Sequence, residues 1–202
     1  MARSPTRREA IVEATIRVVG RKGYLAVSVA DVLTEAGVSR TTFYKHFSDK
    51  HECFLAAYDR AAETILEAAE TACEGGRGWR DRAKDGLTAV VELLAAEPAL
   101  ARTAIVEIST AGAEARRRHW TGVERFAALL ETGSRGQEPE LPANTGLMAI
   151  SAVAGLIFDE LREGRGENLL CIRPELEFAL LVPYLGPRAA GEAFTPPAPA
   201  SP

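Results

Sequence analysis

Apolar residues recur every three or four positions along most of this chain, the spacing of helices with one buried face. The first such stripe is Ile11, Ala14, Val18 and Val19. Thr6-Arg7-Arg8-Glu9 precedes it and has the form of a capping box, and Gly23 ends it. Ser28 opens a second helix, with Asp31 three positions on as an acidic variant of that box. Val29, Val32, Leu33 and Ala36 give it a buried face, and Gly37 offers a left-handed turn. Ser39 caps a third helix, anchored by Phe43 and Phe47. A longer stripe follows from about 49 to 73, through Phe54, Leu55, Tyr58, Ala62, Ile65, Leu66 and Ala69. Glu74-Gly75-Gly76-Arg77-Gly78 breaks it. Further helices are predicted near 79–96, 98–110, 113–132, 142–163 and 174–185. Pro98, Pro142 and Pro174 sit where a first-turn proline is tolerated, and Gly112, Gly133 and Gly164 sit at helix ends. Pro183 kinks or frays the last helix. No alternating run suggests a strand, so the fold class is all-α.

Composition refines this picture. At 202 residues and 47% hydrophobic, the chain has material for a sizeable core. Its net charge of -4 hides an asymmetry. Residues 1–50 carry nine Lys/Arg against five Asp/Glu, whereas residues 51–202 carry fifteen against twenty-three. A basic head therefore precedes an acidic body, and the overall pI near 5.5 is a poor guide to partners. The expected organisation is a head at 1–52, a body at 53–186 and a disordered tail at 187–202 rich in Pro, Ala and Gly. The helix at 49–73 is expected to connect head and body. Cys53, Cys73 and Cys171 are widely separated and are read as buried free thiols. No apolar run is long enough to cross a membrane, and MARSPTRREA lacks the apolar run of a signal peptide. A soluble cytoplasmic protein is expected.

The head carries the most specific chemistry. Arg40, Thr41, Thr42, Tyr44, Lys45 and His46 fall within two turns of one predicted helix. Two short helices joined at Gly37 form a helix-turn-helix pattern, whose second helix enters the DNA major groove. Arg40, Thr41, Thr42 and Lys45 have the chemistry to reach bases or adjacent phosphates: arginine forks onto guanine, and threonine offers a hydroxyl and a methyl. Tyr44, His46 and Lys50 have the reach for backbone oxygens, and the helix start at Ser39 favours a phosphate. His51 is read as a solvated residue beyond the motif.

The order of these parts resembles the TetR family of bacterial transcriptional regulators. The likeness rests on Gly23-Tyr24, Ser28-Val29-Ala30-Asp31-Val32, Ala36-Gly37-Val38-Ser39, Thr42-Phe43-Tyr44-Lys45-His46-Phe47 and Asp49-Lys50, and covers roughly 7–55. It implies a two-domain homodimer, with the head on a palindromic double-stranded operator and the body holding a small-molecule effector and the dimer interface. It implies phosphate contacts from Ser28, Tyr44, His46 and Lys50, and a groove lined by Ser39, Arg40, Thr41, Thr42 and Lys45. Many members have Gly at the position of Thr41; the bulkier Thr here is a candidate base reader. Repression relieved by an effector is the leading expectation. An activator or ligand-blind regulator of the same fold stays open, as does a helical small-molecule-binding protein without DNA affinity.

The body is less specific. Helices near 142–163 and 174–185 are apolar on too many faces for one side to be solvated, and the small residues Ala149, Ser151, Ala152, Ala154 and Gly155 allow close approach. They are the expected dimer interface. Trp79, Leu87, Ile105, Ile108, Trp120, Phe126 and Phe158 are candidate pocket residues, with Leu94 beside them. No charged residue places itself inside a pocket, which favours an apolar or aromatic effector. Arg116-Arg117-Arg118-His119 is read as a solvated helix face. None of the common catalytic motifs is present, and the three histidines do not make a metal site. No enzyme activity, cofactor or metal is expected.

Overall fold

The computed structural model describes residues 6–75, 78–132 and 141–191, and every regular element among them is helical. In order these are α1 (Arg7–Lys22), α2 (Val29–Ala36), α3 (Arg40–Tyr44), α4 (Lys50–Cys73), α5 (Trp79–Ala96), α6 (Pro98–Ala101), α7 (Ala113–Glu131), α8 (Thr145–Arg162) and α9 (Arg173–Gly191). The chain divides into two compact units. The first is Met1–Thr64 with Glu97–His119, and the second is Ile65–Ala96 with Trp120–Pro202. This differs from the expected boundary at residue 52: the first half of α4 and the segment after α5 group with the head.

In the first unit the caps form as the side-chain chemistry dictates. Thr6 and Glu9 make a complete capping box on α1, as do Ser28 and Asp31 on α2. Gly23 (φ +80°) and Gly37 (φ +62°) adopt the conformations that end those helices, which a side chain would disfavour. Helix α1 is buried on more than one side, with Ile11, Ala14, Val18 and Val19 all sealed from solvent. Both α2 and the segment from α6 onward pack against it.

The segment predicted as one helix near 98–110 is helical but not uniformly α. After α6 comes a π turn, Arg102–Val106, and then a 3-10 turn, Glu107–Thr110. It lies tight on α1. The Thr103 hydroxyl, fully buried, donates to the carbonyls of Ala99 (2.8 Å) and Ile16 (3.2 Å). A Cβ added at Gly20 would stand 2.4 Å from the Ala99 Cα. On α7, Arg116 and Arg117 are exposed as expected. Arg118 instead ion-pairs with Asp59 and Glu114. The His119 imidazole is half-buried, and loss of solvent holds its pKa below the ordinary value.

In the second unit, α8 packs on α9, and α5 packs on α9 and on a 3-10 turn at Gly166–Leu170. Val91, Leu94, Leu169, Leu176 and Leu181 form its interior. The Trp79 indole donates to the Leu130 carbonyl (2.7 Å), and its ring lies 4.7 Å from that of Tyr184. Buried Glu177 is neutralised by Lys84 (2.9 Å) and Arg173 (3.6 Å). Pro142 is not a first-turn residue, since α8 begins at Thr145; its carbonyl accepts from the Thr145 amide and hydroxyl instead. Helix α9 runs to Gly191, five residues into the expected tail, and kinks at Gly186 (φ +74°). Residues 192–202 of that tail, the predicted helix end at Gly133, and Gly76-Arg77 of the predicted break lie outside the described residues. Of the three thiols only Cys53 is buried; Cys73 is half-buried and Cys171 exposed.

Replacing Gly20 with Ala tests the α1 contact. In an isolated helix the change would gain about 1 kcal/mol. Here the added methyl meets backbone that cannot move aside, so overpacking wins, and a net loss of about 1–3 kcal/mol is expected in urea unfolding. The double variant Gly20→Ala, Ala99→Gly should recover part of that loss.

Candidate nucleic-acid interface

Helix α3 is only five residues long, and further helical hydrogen bonds carry the turn on to Phe47. Two features hold it. The Ser39 hydroxyl accepts from the Thr42 amide (3.1 Å) and lies 2.9 Å from the Thr42 hydroxyl. Phe43 and Phe47 are fully buried, their ring centroids 5.7 Å apart. With that face turned inward, Arg40, Thr41, Tyr44 and Lys45 come out together on the other. Tyr44 is 49% exposed, its ring edge-on to Phe43 at 5.3 Å. Thr42 and His46 are half-buried at the margins of this face. Among the described residues, neither Arg40 nor Lys45 has an ion-pair partner. Three cations in the second half of α1 are committed instead. Arg17 (2.7 Å) and Arg21 hold Glu35, and Lys22 holds Asp31, which keeps both carboxyls below the usual carboxylate range.

Ser28 and Lys50 are placed differently from the rest. The Ser28 hydroxyl donates to Asp31 (2.7 Å) while accepting from the Asp31 amide (3.2 Å), so it serves the start of α2. The Lys50 ammonium donates to the carbonyls of Tyr24 (3.1 Å) and Val27 (2.9 Å) and lies 4.6 Å from the centre of the Tyr24 ring. Two of its three protons are therefore spent on the α1–α2 loop. His51, read from the sequence as solvated, is half-buried, with its Nδ1 3.1 Å from the Tyr24 hydroxyl.

Sequence reasoning passed over Glu107. An acidic residue on a helix is ordinarily solvated, yet this one is 7% exposed and accepts from the Tyr24 amide (2.7 Å). The available signal was the spacing of Ala99, Thr103 and Glu107, four apart on one helix face in an otherwise apolar stretch.

The candidate pocket residues fall in both units. Ile105 and Ile108 belong to the first; Trp79, Leu87, Leu94, Trp120, Phe126 and Phe158 belong to the second. Trp79, Leu87, Leu94 and Ile108 are buried, Ile105, Phe126 and Phe158 half-buried, and Trp120 is 48% exposed. Among the described residues no His, Cys, Asp or Glu cluster could hold a metal ion, and no helix is long and apolar enough to cross a membrane.

A short capped helix with its aromatics buried and its cations exposed, preceded by a left-handed glycine turn, is a helix-turn-helix unit. Residues 11–57 match the family described as bacterial regulatory proteins, tetR family. The HTH-type transcriptional regulator BetI of Rhizobium meliloti is 31% identical over 78 residues, which is 39% of this chain and 38% of that protein. BetI of Agrobacterium fabrum is 31% identical over 89 residues, 44% of this chain and 41% of that one. The chain thus matches less than half the length of these relatives. Among solved structures, the fatty acid degradation regulator FadR from Bacillus halodurans superposes with a TM-score of 0.77 at 16% identity, over 93% of this chain and 99% of that one. FadR from Bacillus subtilis, solved with stearoyl-CoA, gives 0.73 at 17% identity, over 88% and 97%. At those identities the likeness is one of fold. The sequence match to that family thus lies in residues 11–57, and through most of its length the chain shares the fold of these solved regulators.

The bonds of Lys50 make a specific prediction. Lys50→Met removes two charge-assisted hydrogen bonds at a half-buried site and should cost about 1–2 kcal/mol of stability in urea unfolding. An unchanged midpoint would mean that the ammonium does not hold the loop.

Proposed function

We propose that the protein is a homodimeric transcriptional repressor that leaves its operator on binding a small-molecule effector. One observation carries the DNA reading: Arg40, Thr41, Tyr44 and Lys45 share the exposed face of a helix whose opposite face, Phe43 and Phe47, is sealed in the core. On this reading α3 lies in the major groove, with Arg40, Thr41, Thr42 and Lys45 toward base edges and Tyr44 and His46 toward phosphates. The hydroxyls of Ser28 and Ser39 are engaged in caps, so their part is to hold helix starts against the backbone. Lys50 keeps one proton for a phosphate.

The dimer reading rests on α8. Met148, Ala152 and Leu156, four residues apart, are exposed on one face, with Gly155 beside them. Met148 is 55% and Leu156 42% exposed, and on α9 Phe178 is 37% exposed. An apolar face of this kind is what a two-fold partner covers. It would set two α3 helices in successive major grooves, about 34–36 Å apart. For the effector, the sequence favours an apolar or aromatic compound. A long-chain acyl-CoA is the first compound to try, since the B. subtilis FadR was solved with one.

The test begins with duplexes retained by the protein from its source genome. On the recovered operator, Arg40→Ala should cost about 1–3 kcal/mol and relax specificity at one position. Lys45→Ala should weaken the operator more than unrelated duplexes and so narrow the specificity ratio. Titrating stearoyl-CoA into the complex shows whether an acyl thioester releases it. No salt-dependent binding to any duplex would sink the regulator. Separately, sedimentation at micromolar concentration should give a dimer, and Leu156→Glu should shift it to monomer.

A further inference from the structure

Tyr24 is gripped on both sides of its backbone by charged side chains from distant parts of the chain. Its amide donates to Glu107 Oε2 at 2.7 Å, across 83 residues of sequence. Its carbonyl accepts from the Lys50 ammonium at 3.1 Å. Its ring lies beneath that ammonium, 4.3 Å from Phe54, and its hydroxyl meets His51. The other Glu107 oxygen accepts from Arg102 Nε at 2.9 Å, and the Glu107 amide donates to the Arg102 carbonyl, closing the π turn. Glu107 is thus fixed to its own segment by two bonds and offers its remaining oxygen to the α1–α2 loop. Gly23 completes the arrangement. A Cβ there would stand 3.3 Å from both carboxylate oxygens and would push them back by a few tenths of an ångström, and φ of +80° itself favours glycine.

Four residues after Tyr24 stands Ser28, the cap of α2, and α2 carries the turn into α3. The position of the 23–27 loop therefore bears on where α2 starts. A carboxylate buried on an amide with a guanidinium beside it is an expensive arrangement that holds only in one geometry. Thr103 and Ala99, on the same face of the segment, already secure it to α1 without any charge. The ionic contact adds a fixed aim at one peptide group.

We propose that Glu107 is a positioning residue for DNA recognition, its carboxylate holding the Gly23–Tyr24 peptide and, through it, the start of α2 and the Lys50 ammonium in the geometry that α3 needs to seat in the groove. This rests on the regulator reading above.

The test uses the full-length protein and the operator duplex that wild type retains. Glu107→Asp keeps the charge but draws the oxygens back by about 1.5 Å, one carbon–carbon bond, from the Tyr24 amide. Glu107→Gln keeps an accepting oxygen at the original reach. Ile108→Ala, in the same turn and 2% exposed, is the control for a simple loss of packing. Operator affinity is read by anisotropy and protection of the Tyr24 amide by hydrogen exchange. The Asp variant should lose protection at Tyr24 and bind the operator about tenfold more weakly, as for loss of a charge-assisted hydrogen bond. The Gln variant should stay within about threefold of wild type, and Ile108→Ala should lose thermal stability yet keep its operator affinity. The proposal is overturned if Glu107→Asp binds like wild type despite a freed Tyr24 amide. It is equally overturned if Ile108→Ala weakens binding as much as the Asp variant does. If wild type retains no duplex, the regulator reading fails and takes this inference with it; if only the variants behave unexpectedly, this inference fails alone.

Discussion

A five-residue helix has no stability of its own, because the first turn fixes several residues for one hydrogen bond. Everything that the face of α3 can do therefore depends on what lies under it. Phe43 and Phe47, both completely buried, supply the burial that an isolated turn lacks, about 1.5–3 kcal/mol each for a large apolar side chain. The Ser39 cap satisfies an amide that would otherwise be orphaned. Arg40, Thr41, Tyr44 and Lys45 are presented together because the two phenylalanines leave the helix no other orientation. The short length also bears on the expected anion preference at Ser39. A macrodipole summed over five peptides is small, so the chemistry of this face lies in its side chains more than in its helix end.

The head was legible in the sequence wherever a local rule governs the backbone. Thr6 with Glu9, Ser28 with Asp31, Ser39, Gly23 and Gly37 all act within four residues of themselves, and the structure puts each at the cap or turn expected. The 98–110 stretch was legible as helical but not as a π turn and a 3-10 turn, since apolar spacing over thirteen residues cannot distinguish 3.6 residues per turn from a locally wider or tighter winding. The compact units depart from the expected boundary at residue 52 for a related reason. A break in pattern at Gly75-Gly76 shows where a helix ends, whereas the grouping of 97–119 with the head depends on contacts that no local window contains.

The roles of individual polar residues were the least legible. Lys50 looked like a free cation beside a DNA-binding helix, and Glu107 like one acid among many. Each is set by a partner far away in sequence: a pair of loop carbonyls for Lys50, a loop amide for Glu107. The same holds for the cations of α1. Arg17, Arg21 and Lys22 contribute to the basic balance of the first fifty residues, but their partners are the acids of α2, whereas Arg40 and Lys45 of the α3 segment keep their charge turned outward. A charge count locates a basic segment; hydrogen bonding decides which of its members remain available.

The contact of Gly20 with Ala99, the Thr103 bond to Ile16 and the Glu107 bond to Tyr24 have a consequence for modularity. Regulators of two-part design invite chimeras in which the reading head of one is fused to the sensing body of another. Cut at residue 52, this head would leave behind the strip of chain that fills the space above Gly20 and caps the Tyr24 amide. A foreign body would have to bring, at the matching places, a small residue, a hydroxyl and a carboxylate. The unit of inheritance that recombination could pass on intact is discontinuous: residues 6–64 together with 97–119.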